Sequence, residues 1–479
     1  MMGAGRVKCR RAGELTTRKG AMMTPTTPRT LRIGAAEGFY GDALAPAIVN
    51  ATDGDLDYLC FDCLAELTLA ILQKDRQKDP AAGYTKDIVP AMRALLPIAR
   101  DKGFKMLTNA GGLNPQGAQQ KVMDIARALG LHGLKVACVT GDDVLGRLDE
   151  LRASGVSLDH METGRSIDDV RDRLLFANAY LGAEPIVAAL RDGADVVITG
   201  RTTDSAQFVA PLIYEFGWQD ADRIAQGLTL GHLLECSGQA TGGNFSGDWQ
   251  AVEGLDHIGF PIAEAQESGE FVVTKAEGTG GLVSVDTIKE QLVYEIHDPA
   301  AYSTPDGVLD ITGVRLEDVG ANRVRVTGAR GRPRPETLKV VMGYQDGWLG
   351  QAVVGFSWPD ALEKAQAADQ IVRRQIARAG LAYSEIRTDY LGYNSLAGPL
   401  ATPLVGEPNE IYLRVAVRAA DRDAAAQLGR FFPPLALNGP PTLTGFGGMM
   451  APRELLGMWS CLVPRDVIER NVQVHIEEV

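Results

Sequence analysis

The chain has 479 residues, 45% of them hydrophobic and 23% charged, which is long enough for two or three globular domains of ordinary composition. A formal net charge of −13 argues against a nucleic-acid partner, because phosphate binding needs a basic footprint. No apolar run reaches about 18 residues, so a membrane-spanning helix is not expected, and the reading is of a cytoplasmic protein acting on a small molecule.

Residues 1–30 differ in texture from the rest. Arg6, Lys8, Arg10, Arg11, Arg18, Lys19 and Arg29 stand against one acid, Glu14, with no apolar segment of the kind a secretory signal needs. They read as a mobile extension, or as sequence preceding a true start at Met22 or Met23; a transit peptide also fits the composition. The expected organisation is this extension, a parallel α/β domain over 31–250 and an α+β domain over 251–479.

From residue 31 strand and helix signals alternate. Leu31–Gly34 is a short strand leading into a glycine-punctuated turn, Ala43–Val49 a helix, and Leu56–Phe61 a second apolar run. Helical periodicity follows in Ala65–Leu72 and Ile88–Arg100. Lys105–Thr108 is a strand ending at Asn109, and Gln116–Leu129 an amphipathic helix. Leu134–Thr140 is a strand ending in Gly141-Asp142, Pro185–Arg191 a helix, and Asp195–Thr199 a strand ending in Gly200-Arg201. Continuous apolar strands parted by helices define βαβ units and a parallel sheet, whose strand ends face one edge. Ligands of open α/β sheets bind at that edge.

After residue 250 the strands shorten and Gly/Pro/Asp turns part them. Val272–Lys275, Val293–Ile296, Leu309–Leu316, Arg323–Thr327 and Leu338–Gly343 read as strands. Trp358–Ala379 is a helix with Gly380 past its end; Ile411–Arg418 is a strand and Asp421–Phe431 a helix. Strand then helix, twice, suits a two-layer α/β arrangement. The segment holding Pro433-Pro434, Pro440-Pro441 and Gly445–Gly448 is loop-rich.

Candidate chemistry concentrates at the strand ends. Asn109, Asp142 and Arg201 with Asp204 each follow an apolar strand, so an amide, carboxylates and a guanidinium should line one pocket. Arg201 suits an anion clamp, and Asp142 or Asp204 a proton transfer. The structural readings are an Arg201–Asp204 ion pair and Asp142 as a helix cap. Gly278-Thr279-Gly280-Gly281, with Lys275 upstream, resembles an anion cradle for a phosphate such as that of coenzyme A; a tight turn fits equally. His232 and Glu235 share a helix face, with Glu235 the better acid–base candidate and His232 the better cap.

Six cysteines are scattered (Cys9, Cys60, Cys63, Cys138, Cys236, Cys461), and the single CxxC at Cys60–Cys63 has no second pair to close a zinc site. No metal and no cofactor are therefore expected. Gly34–Gly38 is not a dinucleotide fingerprint, and no G-x-S-x-G elbow occurs.

Several strings together resemble the acyclic terpene utilisation (AtuA-like) family across nearly all of residues 31–479. They are Ile33–Asp42, Thr108–Gly112, Gly182–Pro185, Asp195–Arg201 with Asp204, Glu215–Trp218, Gly231–Cys236 through Thr241-Gly242-Gly243, Gly259–Glu264, and Lys275 through Gly278–Leu282. Leu437–Pro440 matches the family's Asn-Gly-Pro loop, while Pro433-Pro434 and Gly445–Gly448 depart from its glycine run. Some relatives carry a further small C-terminal domain, and this chain is expected to stop before it. The resemblance implies work on branched acyclic terpenoids through acyl-CoA intermediates. The expected function is hydratase- or lyase-like chemistry on an acyl-CoA or branched carboxylate, with the coenzyme A thioester as substrate. The alternative is a non-catalytic binding or assembly subunit for an acyl-CoA enzyme. Homo-oligomerisation is left open.

Deleting residues 1–30 is expected to leave the thermal midpoint within a few degrees of the intact protein by calorimetry; a larger drop would show that this basic segment packs on the core.

Overall fold

Short, wholly apolar runs form the middle of the molecule. The computed structural model describes residues 29–445 and 450–479, so residues 1–28 of the basic extension and most of the expected Gly445–Gly448 loop lie outside the described residues. The first eight strands, numbered in chain order, are β1 Thr30–Ala35, β2 Tyr58–Phe61, β3 Lys105–Thr108, β4 Lys135–Thr140, β5 Leu174–Ala179, β6 Val196–Thr199, β7 Pro261–Gln266 and β8 Phe271–Lys275. All four residues of β2 and of β6 are buried, as strands covered on both faces must be. The order β1-β2-β3-β6-β4 is parallel throughout.

Most of the intervening helices bury one apolar face in the core around this sheet, while Glu66–Lys78 packs Leu69, Ala70 and Leu72 against Phe176 and Val341. Pro115–Ala128 shows why it forms: the Asn114 side chain accepts the Gly117 N–H at 3.0 Å, and proline occupies the first helical position. It then buries Ala118, Val122, Met123, Ile125 and Ala126.

The sheet does not end where the texture changes. β7 pairs antiparallel with β1, β8 with β7, Arg323–Thr327 with β8 and Arg315–Gly320 with Arg323–Thr327. On the opposite side Gln473–Glu478 pairs antiparallel with β4, completing ten strands. The shift near residue 250 therefore marks a change from parallel to antiparallel pairing within one mixed sheet.

β5 leaves this sheet. It pairs antiparallel with the 21-residue strand Thr337–Ser357, whose other half pairs with Glu410–Ala419 and which also pairs with Arg453–Pro464. Glu410–Ala419 alternates, with Ile411, Leu413, Val415 and Val417 buried against the helix Ala361–Arg378. This strand and helix match their expected positions, whereas the helix expected over Asp421–Phe431 breaks after Gln427.

Two other differences have local causes. Val293–Ile296 is no strand, because Ser284 and Thr287 form a reciprocal cap that starts the helix Val285–Val293, and this helix ends within the expected strand. Leu309–Leu316 divides into Gly307–Asp310 and Arg315–Gly320, where the Asp310 carboxylate takes the Thr312 N–H at 2.9 Å and turns the chain.

Candidate functional site

Parallel strands put their carboxyl ends on one edge. Within two residues of the ends of β1, β2, β3, β6 and β4 stand Glu37, Asp62, Asn109, Arg201 and Asp142, all buried. Burying polar groups at five adjacent strand ends is costly unless they satisfy one another, and most of them do.

Arg201 is the centre of this arrangement, with only 2% of its side chain exposed. Its Nη1 donates to the Leu64 carbonyl and stands 3.1 Å from Asp204 Oδ1, while the guanidinium lies 4.1 Å from the centre of the Tyr180 ring. Arg201 Nε has no hydrogen-bond partner among the described residues. The Tyr180 hydroxyl donates to Glu66, which also accepts from Lys339 Nζ at 3.2 Å. Burial alone would raise the Glu66 carboxyl, but the Tyr180 hydrogen bond and the charges of Arg201 and Lys339 hold it at about 2.

Around Arg201, oxygens of Asp62, Asp204 and Glu235 all lie within 4.8 Å of one another. Each carboxyl has one orienting neighbour. Asn109 Nδ2 donates to Asp62 Oδ1 at 2.5 Å, and the Asn109 oxygen is fixed by the Cys63 N–H at 2.6 Å. Arg201 faces Asp204, and His232 Nδ1 lies 3.0 Å from Glu235 Oε1 on the last turn of the helix Ala221–Glu235. Burial raises all three carboxyls. Asp62 is pushed well up by burial and then by Asp204 and Glu235, against the pull of Arg201 and Asn109. Glu235 is raised to about 7 by burial, His232 opposing and Asp204 adding. Asp204 is raised by burial against Arg201, yet 32% of its side chain is exposed, so it is the member that faces solvent. Burial would lower His232, but Glu235 outweighs it and the imidazole is raised. The three acids form an all-oxygen set of the type that can hold a hard divalent cation.

Asp142 has another setting. Its Oδ2 accepts the Arg201 N–H and the Asn178 amide, both at 2.8 Å, and burial raises it to about 6. It braces the turn on which Arg201 stands. Gly200 makes this approach possible, since a Cβ there would lie 2.5 Å from the Asp142 carboxylate. Lys275 donates to the Thr279 carbonyl at 2.6 Å and to its hydroxyl at 3.3 Å. The Gly280 and Gly281 N–H groups go to the carbonyls of His257 and Glu253. The Gly278–Gly281 loop is thus sewn to the preceding segment by its own donors.

The structure brings together Asn109, Arg201 and Asp204, as their positions at strand ends suggested, joins to them Glu235 from the helix Ala221–Glu235, and adds Asp62, Glu66 and Tyr180. Asp62 and Glu37 obey the same rule as Asn109, a polar residue just past an apolar strand. The CxxC spacing put the emphasis on sulfur instead. Cys60 Sγ donates to the Gln207 carbonyl and Cys63 Sγ lies 3.8 Å from Glu37, whose carboxyl is raised to about 8 by burial and by Asp87 and Asp42. Tyr180 follows β5, and nothing in its local sequence announces a role.

A mixed α/β protein with a buried carboxylate–guanidinium cluster at the carboxyl edge of its parallel strands has the architecture of a small-molecule site. The chain belongs to the acyclic terpene utilisation family protein AtuA family, whose profile matches residues 31–474. No curated protein matches the chain.

Gly200→Ala is expected to destabilise the protein by about 1–3 kcal/mol in chemical denaturation, because the added methyl must displace Asp142 or the turn; unchanged stability would show that the brace yields freely. A second expectation concerns pH. The folded-state values of Glu37 and Glu235 are raised above their unfolded ones. Their contribution is therefore fully present below about 4.5 and lost as pH rises through about 7 to 8. Unfolding free energy should fall across that window, and fall less in Glu235→Gln and Glu37→Gln; an identical pH profile in these variants would contradict the assignment.

Proposed function

We propose that the strand-end cluster is the acid–base site of a hydratase- or lyase-like enzyme acting on a branched carboxylate or its coenzyme A thioester. The observation that carries this reading is the grouping of Asp62, Asp204 and Glu235 within 4.8 Å around a buried arginine. Membership of the acyclic terpene utilisation family supports a role in that catabolism. Arg201, with Nε unpartnered, takes the carboxylate or thioester oxygen, as a guanidinium fork suits a planar anion. Asn109 keeps Asp62 in place, and Asp142 positions the Arg201 backbone.

In the hydration direction Asp204 removes a proton from water, the water oxygen bonds to the β-carbon of a 2,3-unsaturated acyl group, and Glu235 returns a proton to the α-carbon. Dehydration reverses each step. A carboxyl at about 7 is suited to both directions near neutral pH. No cofactor is required by these steps. Lys275, Thr279, Gly280 and Gly281, whose donors are internally bonded, carry no step in this reading.

The purified protein should consume a branched 2,3-unsaturated acyl-CoA, followed by loss of the enoyl-thioester absorbance. Glu235→Gln should lower turnover by about 10²-fold or more while binding persists. Undiminished turnover in that variant would remove Glu235 from the chemistry. Binding by the wild-type protein without turnover of any such thioester would instead favour a non-catalytic binding subunit.

A further inference from the structure

A groove of about 680 Å³ lies between the segment that follows the helix Ala221–Glu235 and the helix Val285–Val293. Phe245, Trp249, Leu255, Val293 and Tyr294 give it apolar walls, and Gln291 forms part of its floor. Trp249 and Val293 are 57% and 56% exposed, an unusual outlay of large apolar surface in one concavity. The frame beneath them is already fixed. Glu290 accepts from the Ser246 N–H at 2.9 Å and from its hydroxyl at 2.7 Å, and Gln239 donates to Gln291 Oε1 at 3.0 Å. These bonds hold the loop after Gly243 against the helix Val285–Val293 and so fix the groove's two walls.

The same frame joins the groove to the site. Gln291 Nε2 donates to the His232 carbonyl at 2.9 Å, one turn before Glu235. Tyr294 lines the groove, and the next residue, Glu295, stands in a left-handed conformation at φ 58°. Through Gln291 the groove therefore adjoins the last turn of the helix that carries His232 and Glu235.

We infer that this groove is the subsite for the apolar chain of an acyl ligand whose anionic head sits at Arg201, with Trp249 and Val293 setting the dependence on chain length. This rests on the reading of Arg201 as the head-group anchor. A charged or sugar-like tail would leave Trp249, Leu255 and Val293 in water, whereas an alkyl chain removes them and itself from it.

The test is calorimetric titration with straight-chain saturated carboxylates from butanoate to dodecanoate. Affinity of the wild-type protein should rise roughly two- to fourfold per methylene over part of the series. Trp249→Ala and Val293→Glu should flatten that rise and leave butanoate affinity within about twofold. Both side chains are more than half exposed, so neither change opens the core. Arg201→Lys should weaken every member of the series alike. A rise with chain length that is identical in the wild type, Trp249→Ala and Val293→Glu would overturn the groove while leaving the head-group reading intact. Absence of binding by any carboxylate at any length would overturn the head-group reading, and the groove assignment with it.

Discussion

A guanidinium cannot shed its proton, so burying Arg201 obliges everything near it to respond. Its charge is met by the Leu64 carbonyl, the face of Tyr180 and the Asp204 carboxylate, and its backbone N–H by Asp142. Removing one partner from such a set leaves a buried charge uncompensated, which costs about 3–5 kcal/mol, more than most single contacts contribute. The geometry of the strand-end edge follows from this constraint. Gly200 is there because Asp142 must come close, and Gly38 because the turn after β1 lies against the end of the helix that carries Glu235, where a Cβ would stand 2.7 Å from the Glu235 carbonyl oxygen.

The same arginine ties the two large sheets together. Tyr180 follows β5, a strand of the second sheet, and its N–H donates to the Lys339 carbonyl at 2.9 Å. Lys339 belongs to the long strand Thr337–Ser357, and its ammonium reaches both Glu66 and the Tyr180 ring. The second sheet thus supplies an aromatic face and a cation to a site whose other members come from the first. A shift of that strand would move Tyr180 relative to Arg201, so the packing of the second sheet bears directly on the electrostatics of the cluster.

Much of the site was legible because β2, β3, β4 and β6 are short and wholly or largely apolar, so their ends stand out in sequence. The polar residue after each end then falls at the ligand edge by the geometry of parallel strands alone. Asn109 and Arg201 were read in this way. Asp62 satisfies the same criterion but sits inside a CxxC, a pattern with a stronger local meaning. The grouping of Asp62, Asp204 and Glu235 lies beyond local reading, since the three come from separate segments and meet only through the packing of the helix Ala221–Glu235 on the sheet. Periodicity identifies a strand but not its partner. For this reason nothing in the residues of β5, a segment not read as a strand in the sequence, assigns it to the second sheet. That the antiparallel strands after residue 250 extend the same sheet was hidden for the same reason.

The charge balance of the cluster bears on what it can do. Asp62, Asp204 and Glu235 would carry three negative charges if all were ionised, within 4.8 Å of one another and with Arg201 as the nearest fixed cation. Glu66 adds a fourth acid close by, but at about 2 it remains ionised, and Lys339 and the Tyr180 hydroxyl answer it. Arg201 opposes the raising of Asp62 and Asp204, and His232 opposes that of Glu235. Asp204, in contact with Arg201 and partly open to water, is best placed to be the ionised one, while Asp62 is deeply buried and Glu235 lies near neutrality. An ionised carboxylate beside protonated ones, held in place by Asn109, Arg201 and His232, is an arrangement in which one group can accept a proton while a neighbour gives one. The buried arginine favours the ionised form of Asp204 while His232 favours that of Glu235, so the two carboxyls are tuned by different cations.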